Sequence, residues 1–221
     1  GRVSVYIRNN DATNTWIPLG RPISGLAPND LFGSCVDLSS DGLTLVAGGV
    51  QSRFNDTIMY WEPVGAGYLS IFRYHNGDWE QVQAPLRGQT LADRFGERCS
   101  LSGSGHTVAT AARSLEQVQV FRYNADSDVY EPLGASAQPS GAGSFEYGVS
   151  LSDDGNTVAF NSRRDGIGNM QVFRYDSSTD SWTRLGQPFL SSFSGLSYGY
   201  GVDLNADGTV VAASNGFGFA E

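Results

Sequence analysis

A repeat constrains this chain more than any other feature. Four segments read alike: Phe32-Gly33 running into LSSDGLTLVAGG, Phe95-Gly96 into LSGSGHTVATAA, Phe145 into LSDDGNTVAFNS, and Tyr198-Gly199 into LNADGTVVAASN. Their aligned leucines, Leu38, Leu101, Leu151 and Leu204, lie 63, 50 and 53 residues apart. A second string recurs between them at Leu69 to Tyr74 (LSIFRY), Val118 to Tyr123 (VQVFRY) and Met170 to Tyr175 (MQVFRY), with Val3 to Arg8 (VSVYIR) as a variant. Each is followed by an aromatic, Trp16, Trp79, Tyr130 or Trp182, and from that aromatic to the next aligned leucine the distance is 22, 22, 21 and 22 residues. Self-similarity at such a period belongs to stacked or radial repeats, with length variation confined to loops.

Alternation inside the strings identifies strands. In VQVFRY, Val118 and Val120 fall on one face and Phe121 and Tyr123 on the other, so both faces are apolar. The pairs Val36/Leu38, Cys99/Leu101, Val149/Leu151 and Val202/Leu204 repeat a shared face in every copy. Asp-Gly or Ser-Gly steps at 41–42, 104–105, 154–155 and 207–208 supply the positive φ of a tight hairpin. Each unit is therefore about four short antiparallel strands, and a sheet apolar on both faces must be sandwiched between copies of itself. A two-sheet sandwich would need one polar face per strand, which these strings lack. The expected fold is all-β, a β-propeller of about four four-stranded blades. It forms one domain over 1–221, with units at 32–94, 95–144 and 145–197, outer strands from 1–31 and inner strands from 198–221. Those terminal halves would pair in a closed ring; a closed small ring and an arc of a larger propeller both fit.

Composition narrows the function. Net charge is −9, which removes the electrostatic footprint for nucleic acid or an anionic membrane. No lysine occurs, so P-loop and Schiff-base chemistry go together. No apolar run is long enough for a spanning helix, and no membrane insertion is expected. The opening GRVSVYIRNN has neither an initiator methionine nor a signal-peptide core, so the expectation is a chain processed or cut from something longer.

The string FG-x-x-V-x-LS-x-DG-x-T-x-A, clearest at 32–49 and 198–213, resembles the FG-GAP repeat best known from the integrin α-chain propeller. The GAP tripeptide stands here as Ala47-Gly48-Gly49, and Glu146 replaces the glycine after Phe145. LSDDGNTVAFNSRRDG at 151–166 also resembles the repeat of periplasmic Tol-type propellers. The resemblance implies a recognition module, commonly extracellular. The expected function is accordingly a non-enzymatic structural or protein-protein interaction module of a secreted or cell-surface protein, serving assembly or adhesion. The alternative is a glycan-binding, lectin-like propeller using the repeated aromatics.

Individual residues are weighed against that background. FG-GAP loops bind calcium through oxygen-rich runs, and Asp203, Asn205 and Asp207 match the first part of one. The downstream carboxylate is missing, so they are weak calcium candidates beside a hydrogen-bonded turn, and no cofactor is expected. Gly195-Leu196-Ser197-Tyr198-Gly199 satisfies the nucleophile-elbow pattern, but a repeat strand and no helix follows it, and no catalytic residue is assigned. His75 and His106 have no repeated partner, and Arg73, Arg122 and Arg174 read as strand-end caps. Cys35 and Cys99 stand in adjacent copies on opposite faces of equivalent strands, which allows a disulfide across two blades. The insertion near 50–67 carries Phe54, Met59, Tyr60 and Trp61 as interface candidates and Asn55 as a glycosylation candidate, in a stretch that reads as loop.

Overall fold

The computed structural model describes residues 1–9, 14–91, 93–112, 117–137, 144–164, 167–190 and 197–216. An N-terminal unit holds β1 (Arg2–Val3), β2 (Tyr6–Arg8), β3 (Trp16–Pro18) and β4 (Ile23–Ser24). The first complete blade follows with β5 (Cys35–Leu38), β6 (Thr44–Gly49), β7 (Ser52–Asn55), β8 (Tyr60–Pro63), β9 (Tyr68–His75), β10 (Asp78–Gln81) and β11 (Leu86–Arg87). The second comprises β12 (Cys99–Leu101), β13 (Thr107–Ala112), β14 (Gln117–Asn124) and β15 (Val129–Pro132). The third has β16 (Ser144–Leu151), β17 (Thr157–Arg164), β18 (Ile167–Asp176), β19 (Ser181–Arg184) and β20 (Phe189–Leu190), and a last hairpin has β21 (Ser197–Leu204) and β22 (Val211–Gly216).

The three complete blades share one order, β5-β6-β9-β10, β12-β13-β14-β15 and β16-β17-β18-β19, all antiparallel. Register repeats with the sequence: Leu38 opposes Leu45, Leu101 opposes Val108, Leu151 opposes Val158 and Leu204 opposes Val211. The glycines that close these hairpins, Gly42, Gly105, Gly155 and Gly208, take φ of 71°, 73°, 66° and 68°, which an L side chain adopts only with strain. This is the all-β propeller architecture read from the repeat. Among the described residues the terminal elements stay apart: β1 pairs β4, β2 pairs β3, and β21 pairs β22, each as a two-stranded sheet.

The two-faced strands bury their faces between blades. Val46, Ile71, Leu101, Val108 and Phe121 form one apolar cluster between the first and second blades. Val118, Val120, Val149, Leu151 and Phe160 form the next. The N-terminal unit packs Val3 against Leu45, Phe72 and Trp79 of the first blade, and Leu204 packs on Ala159 and Val172 of the third.

Entry into the first two blades is shaped by a buried carboxylate. Asp30 accepts the N–H of Phe32 at 3.1 Å, the N–H of Ala27 at 3.1 Å and the hydroxyl of the buried Tyr68 at 2.5 Å. Asp93 accepts the N–H groups of Gln89 and Thr90 and the Thr90 hydroxyl. Burial pushes the Asp30 carboxyl up, but the Tyr68 hydroxyl and the two N–H donors outweigh it and hold the group below its ordinary value. The native pKa is thus below the unfolded one, so the stabilisation is present above the ordinary carboxylate range and lost as pH falls through the lowered native value. Asp30→Asn is expected to cost about 2 kcal/mol at neutral pH. In urea titrations the gap to the parent chain narrows as pH drops below about 4; a gap independent of pH would contradict this role.

Candidate functional site

Where the blades converge, their first strands carry a polar row: Asp37 on β5, Ser100 on β12, Ser150 on β16 and Asp203 on β21. Each of the first three reaches across to the next blade. Asp37 Oδ2 accepts the N–H of Leu101 at 2.7 Å, Ser100 Oγ accepts that of Leu151 at 3.0 Å, and Ser150 Oγ accepts that of Leu204 at 3.0 Å. Ser150 also donates to Asp203 Oδ1 at 3.2 Å. Asp37 Oδ1 is held by the N–H of Leu38 at 2.8 Å. Burial raises the Asp37 carboxyl above its ordinary range, and these donors only partly offset it; the charge of Asp203 adds to the upward push. The row combines a half-buried carboxylate fixed by two backbone donors with two buried hydroxyls.

The calcium candidates serve the turn. Asp207 Oδ1 accepts the N–H and hydroxyl of Thr209, and Asn205 Oδ1 accepts the N–H of Val210 at 2.8 Å. The same design holds in the first and third copies, where Ser39 donates to Asp41 and accepts from Thr44 N–H, and Ser152 donates to Asp154 and accepts from Thr157 N–H. Asp41 and Asp207 are held below the ordinary value, first by the hydroxyls of Ser39 and Thr209. Among the described residues no three His, Cys, Asp or Glu side chains converge as a metal site.

Cys35 and Cys99 are joined as a disulfide between β5 and β12, with Cα atoms 5.8 Å apart. The arginine column lies over rings of the following blade: Arg73 stands 4.2 Å above Tyr123 and Arg122 5.4 Å above Tyr175. Trp79 donates its indole N–H to the Leu19 carbonyl of the preceding unit, and Trp182 to that of Leu133. His106 stacks on Tyr123. Gly195 and Leu196 lie outside the described residues, while Ser197, Tyr198 and Gly199 begin β21.

The insertion that reads as loop is a hairpin, β7 with β8, because its period-two alternation pairs Phe54 with Trp61 and Asn55 with Tyr60 around a tight turn. Phe54 and Trp61 form an edge-to-face pair 5.4 Å apart, and Met59 is exposed at the tip. Asn55 Oδ1 accepts the Thr57 N–H at 3.0 Å as an Asx turn.

Beside β5, on the side away from the second blade, lies an open groove of about 780 Å³ lined by Val3, Val5, Tyr6 and Trp16 on one wall and Val36, Leu38 and Leu45 on the other. The repeat makes no distinction at this point that a reader of the sequence could see, because Leu38 looks like Leu101, Leu151 and Leu204. In the structure Leu38 is 42% exposed, against 5%, 6% and 9% for its counterparts.

No family model matches the chain, and no curated protein matches it in sequence. Solved structures share the fold. The periplasmic gluconolactonase of Pseudomonas aeruginosa matches at TM-score 0.56 and 16% identity over 95% of this chain and 56% of that one. TolB from Acinetobacter baumannii matches at 0.45 and 16% over 96% and 46%, and the Cps50 (Swd1) β-propeller domain of Myceliophteria thermophila at 0.49 and 12% over 80% and 48%. The chain spans about half the length of each. The gluconolactonase match corrects the expectation of a non-enzymatic module: a propeller similar to this one belongs to a named lactonase, so the fold does not exclude catalysis.

Breaking the disulfide tests the blade junction. Its 64-residue separation predicts a loss of about 4 kcal/mol on the chain-entropy model for the Cys35→Ser, Cys99→Ser double variant. Denaturant unfolding checks it, and an unchanged midpoint would show that the bridge contributes nothing.

Proposed function

We propose that the chain is a hydrolytic propeller that opens a cyclic ester of the sugar-lactone type, with Asp37 as general base. The observation that carries this reading is the Asp37 carboxyl, raised by burial yet held in one orientation by the N–H groups of Leu38 and Leu101. A carboxylate moved toward neutrality and fixed in place is suited to taking a proton from water. In the proposed step Asp37 accepts a proton as the water oxygen bonds to the lactone carbonyl carbon. The ring C–O bond then breaks, and the ring oxygen takes the proton from Asp37. The N–H groups of Leu38 and Leu101 orient the base. The shared fold of a gluconolactonase supports the choice of substrate class.

An oxidising setting belongs to the same reading: the Cys35–Cys99 bridge suits a secreted or cell-surface protein, with Asn55 available as an acceptor at a turn. The FG-GAP likeness stays part of the proposal as a statement about the repeat, with the propeller as its supported content. Calcium at Asp203, Asn205 and Asp207 has no part in the proposed step.

The test is release of acid from δ-gluconolactone above the spontaneous rate. Asp37→Asn is expected to lower turnover by about 100-fold or more with an unchanged circular dichroism spectrum. Because the base must be ionised and its pKa is raised, the parent rate climbs with pH through a midpoint above the ordinary carboxylate range of about 4. No turnover above background in the parent chain, or equal rates for the variant, would sink the proposal.

A further inference from the structure

We infer that the Cys35–Cys99 bridge positions the proposed base, holding β5 against β12 so that the Asp37 carboxyl keeps the Leu101 N–H as it takes up and releases a proton. The inference rests on the hydrolytic reading for what Asp37 does. Strand alternation puts the two groups together. Along β5, Cys35 and Asp37 are half-buried while Val36 and Leu38 are exposed, so the bridge and the carboxyl leave one face of the strand two residues apart. On β12, Cys99 and Leu101 have the same spacing. The covalent link, with Cα atoms 5.8 Å apart, and the 2.7 Å hydrogen bond from Leu101 N–H to Asp37 Oδ2 are thus successive rungs between the same two strands.

The other junctions of the repeat manage without such a link. By repeat position the pair Cys35 and Cys99 corresponds to Arg98 and Val149 at the next junction and to Gly148 and Val202 at the one after. The last pair faces the same way, since a Cβ on Gly148 would stand 2.8 Å from Val202 Cγ1. At those two junctions the leucine N–H is accepted by Ser100 and Ser150, whose neutral hydroxyls keep their acceptor lone pairs at any pH. The covalent link stands where the acceptor is a carboxylate. A carboxylate that gains a proton becomes a much weaker acceptor, so the rung at Asp37 weakens at the moment the proposed step moves a proton onto it. Register must then be held by other contacts. Toward the turn, Ser40 N–H donates to the Gly103 carbonyl at 2.9 Å, and the bridge holds the opposite end, with Asp37 between these two anchors.

Few charges complicate this slot. β6 brings no ionisable side chain, and β12 brings only the bridged Cys99. Asp203 is the charge that acts on Asp37, and Tyr6 lines the groove beside it. Burial is the largest influence on the Asp37 carboxyl and outweighs the N–H donors. Loosening β5 from β12 admits water to the slot and removes that influence, so the carboxyl returns toward its ordinary value as it loses its fixed orientation.

The experiment uses the full chain and two bridge-free variants. Cys35→Ser, Cys99→Ser removes the link, and Cys35→Gly, Cys99→Val replaces it by the pair the repeat itself uses at Gly148 and Val202, which separates lost packing from the lost bridge. NMR follows the Leu101 amide through a pH titration. In the parent the amide is expected to report a midpoint above the ordinary carboxylate value of about 4, and in the folded variants that midpoint moves down toward it. Turnover of δ-gluconolactone by the variants is expected to fall about tenfold in kcat with KM unchanged. On the parent alone, the Leu101 N–H should stay protected from hydrogen exchange on both sides of the midpoint, a reading that decides the question even if neither variant folds. A midpoint and kcat equal to the parent's, or protection lost when Asp37 is protonated in the parent, would overturn the inference. So would a fall in kcat with the midpoint unmoved, the mark of a bridge that only stabilises. A parent without lactone turnover sinks the hydrolytic reading alone, because the amide midpoint and the exchange protection still decide whether the bridge holds the carboxyl.

Discussion

Everything in this fold depends on sheets that are apolar on both faces. A strand such as VQVFRY cannot leave either side in water, so each blade is stable only while clamped by the next. The apolar clusters accordingly lie between blades. Hydrophobic burial is non-directional and would allow neighbouring sheets to slide. Register comes from the polar groups at the inner strands, where Asp37, Ser100 and Ser150 each fix the N–H of one leucine on the adjoining blade. Arg73 and Arg122, seated over tyrosines of the following blade, repeat that fixing toward the rim.

Much of this was legible in the sequence for a physical reason. Strand periodicity and the positive-φ glycine steps act locally, so the order and register of β5-β6-β9-β10 follow from strings a reader can align. The β7–β8 hairpin was harder to see, because it has one copy and no repeat to compare against, and its Asn-Asp-Thr turn looks like any loop. The buried Asp30 and Asp93 stand in a shared Asp-x-Phe-Gly spacing that was visible, yet their partners, Tyr68 and the N–H groups of Gln89 and Thr90, are fixed only by packing.

The candidate site was less legible still. Asp37 looks like one more polar residue in an alternating strand, and no motif distinguishes it from Ser100 or Ser150. What sets it apart is the environment: a half-buried carboxylate in a row whose buried members are hydroxyls and whose other acid, Asp203, is exposed. Aligned acidic turns drew attention instead, since Asp-x-Asn-x-Asp is a recognisable calcium pattern. Their oxygens are committed to Thr209, Val210 and Ser150. A motif records which atoms are available along the chain, and only the folded arrangement shows which are already used.

The distribution of serine and aspartate along the polar row carries one more step. Ser100 and Ser150 are buried, and each accepts a leucine N–H through a neutral hydroxyl, that of Ser150 donating onward to Asp203. A carboxylate there would lose its hydration and could only accept, at a cost a serine avoids. Asp203 stands exposed at the end of the row, so its charge remains solvated. Asp37 differs from Asp203 in being half-buried, and its neighbours along the row are hydroxyls. Burial raises its carboxyl above the ordinary range. A half-buried acid fixed by two N–H donors is the reason this residue, among all the carboxylates of the repeat, is the one assigned chemistry.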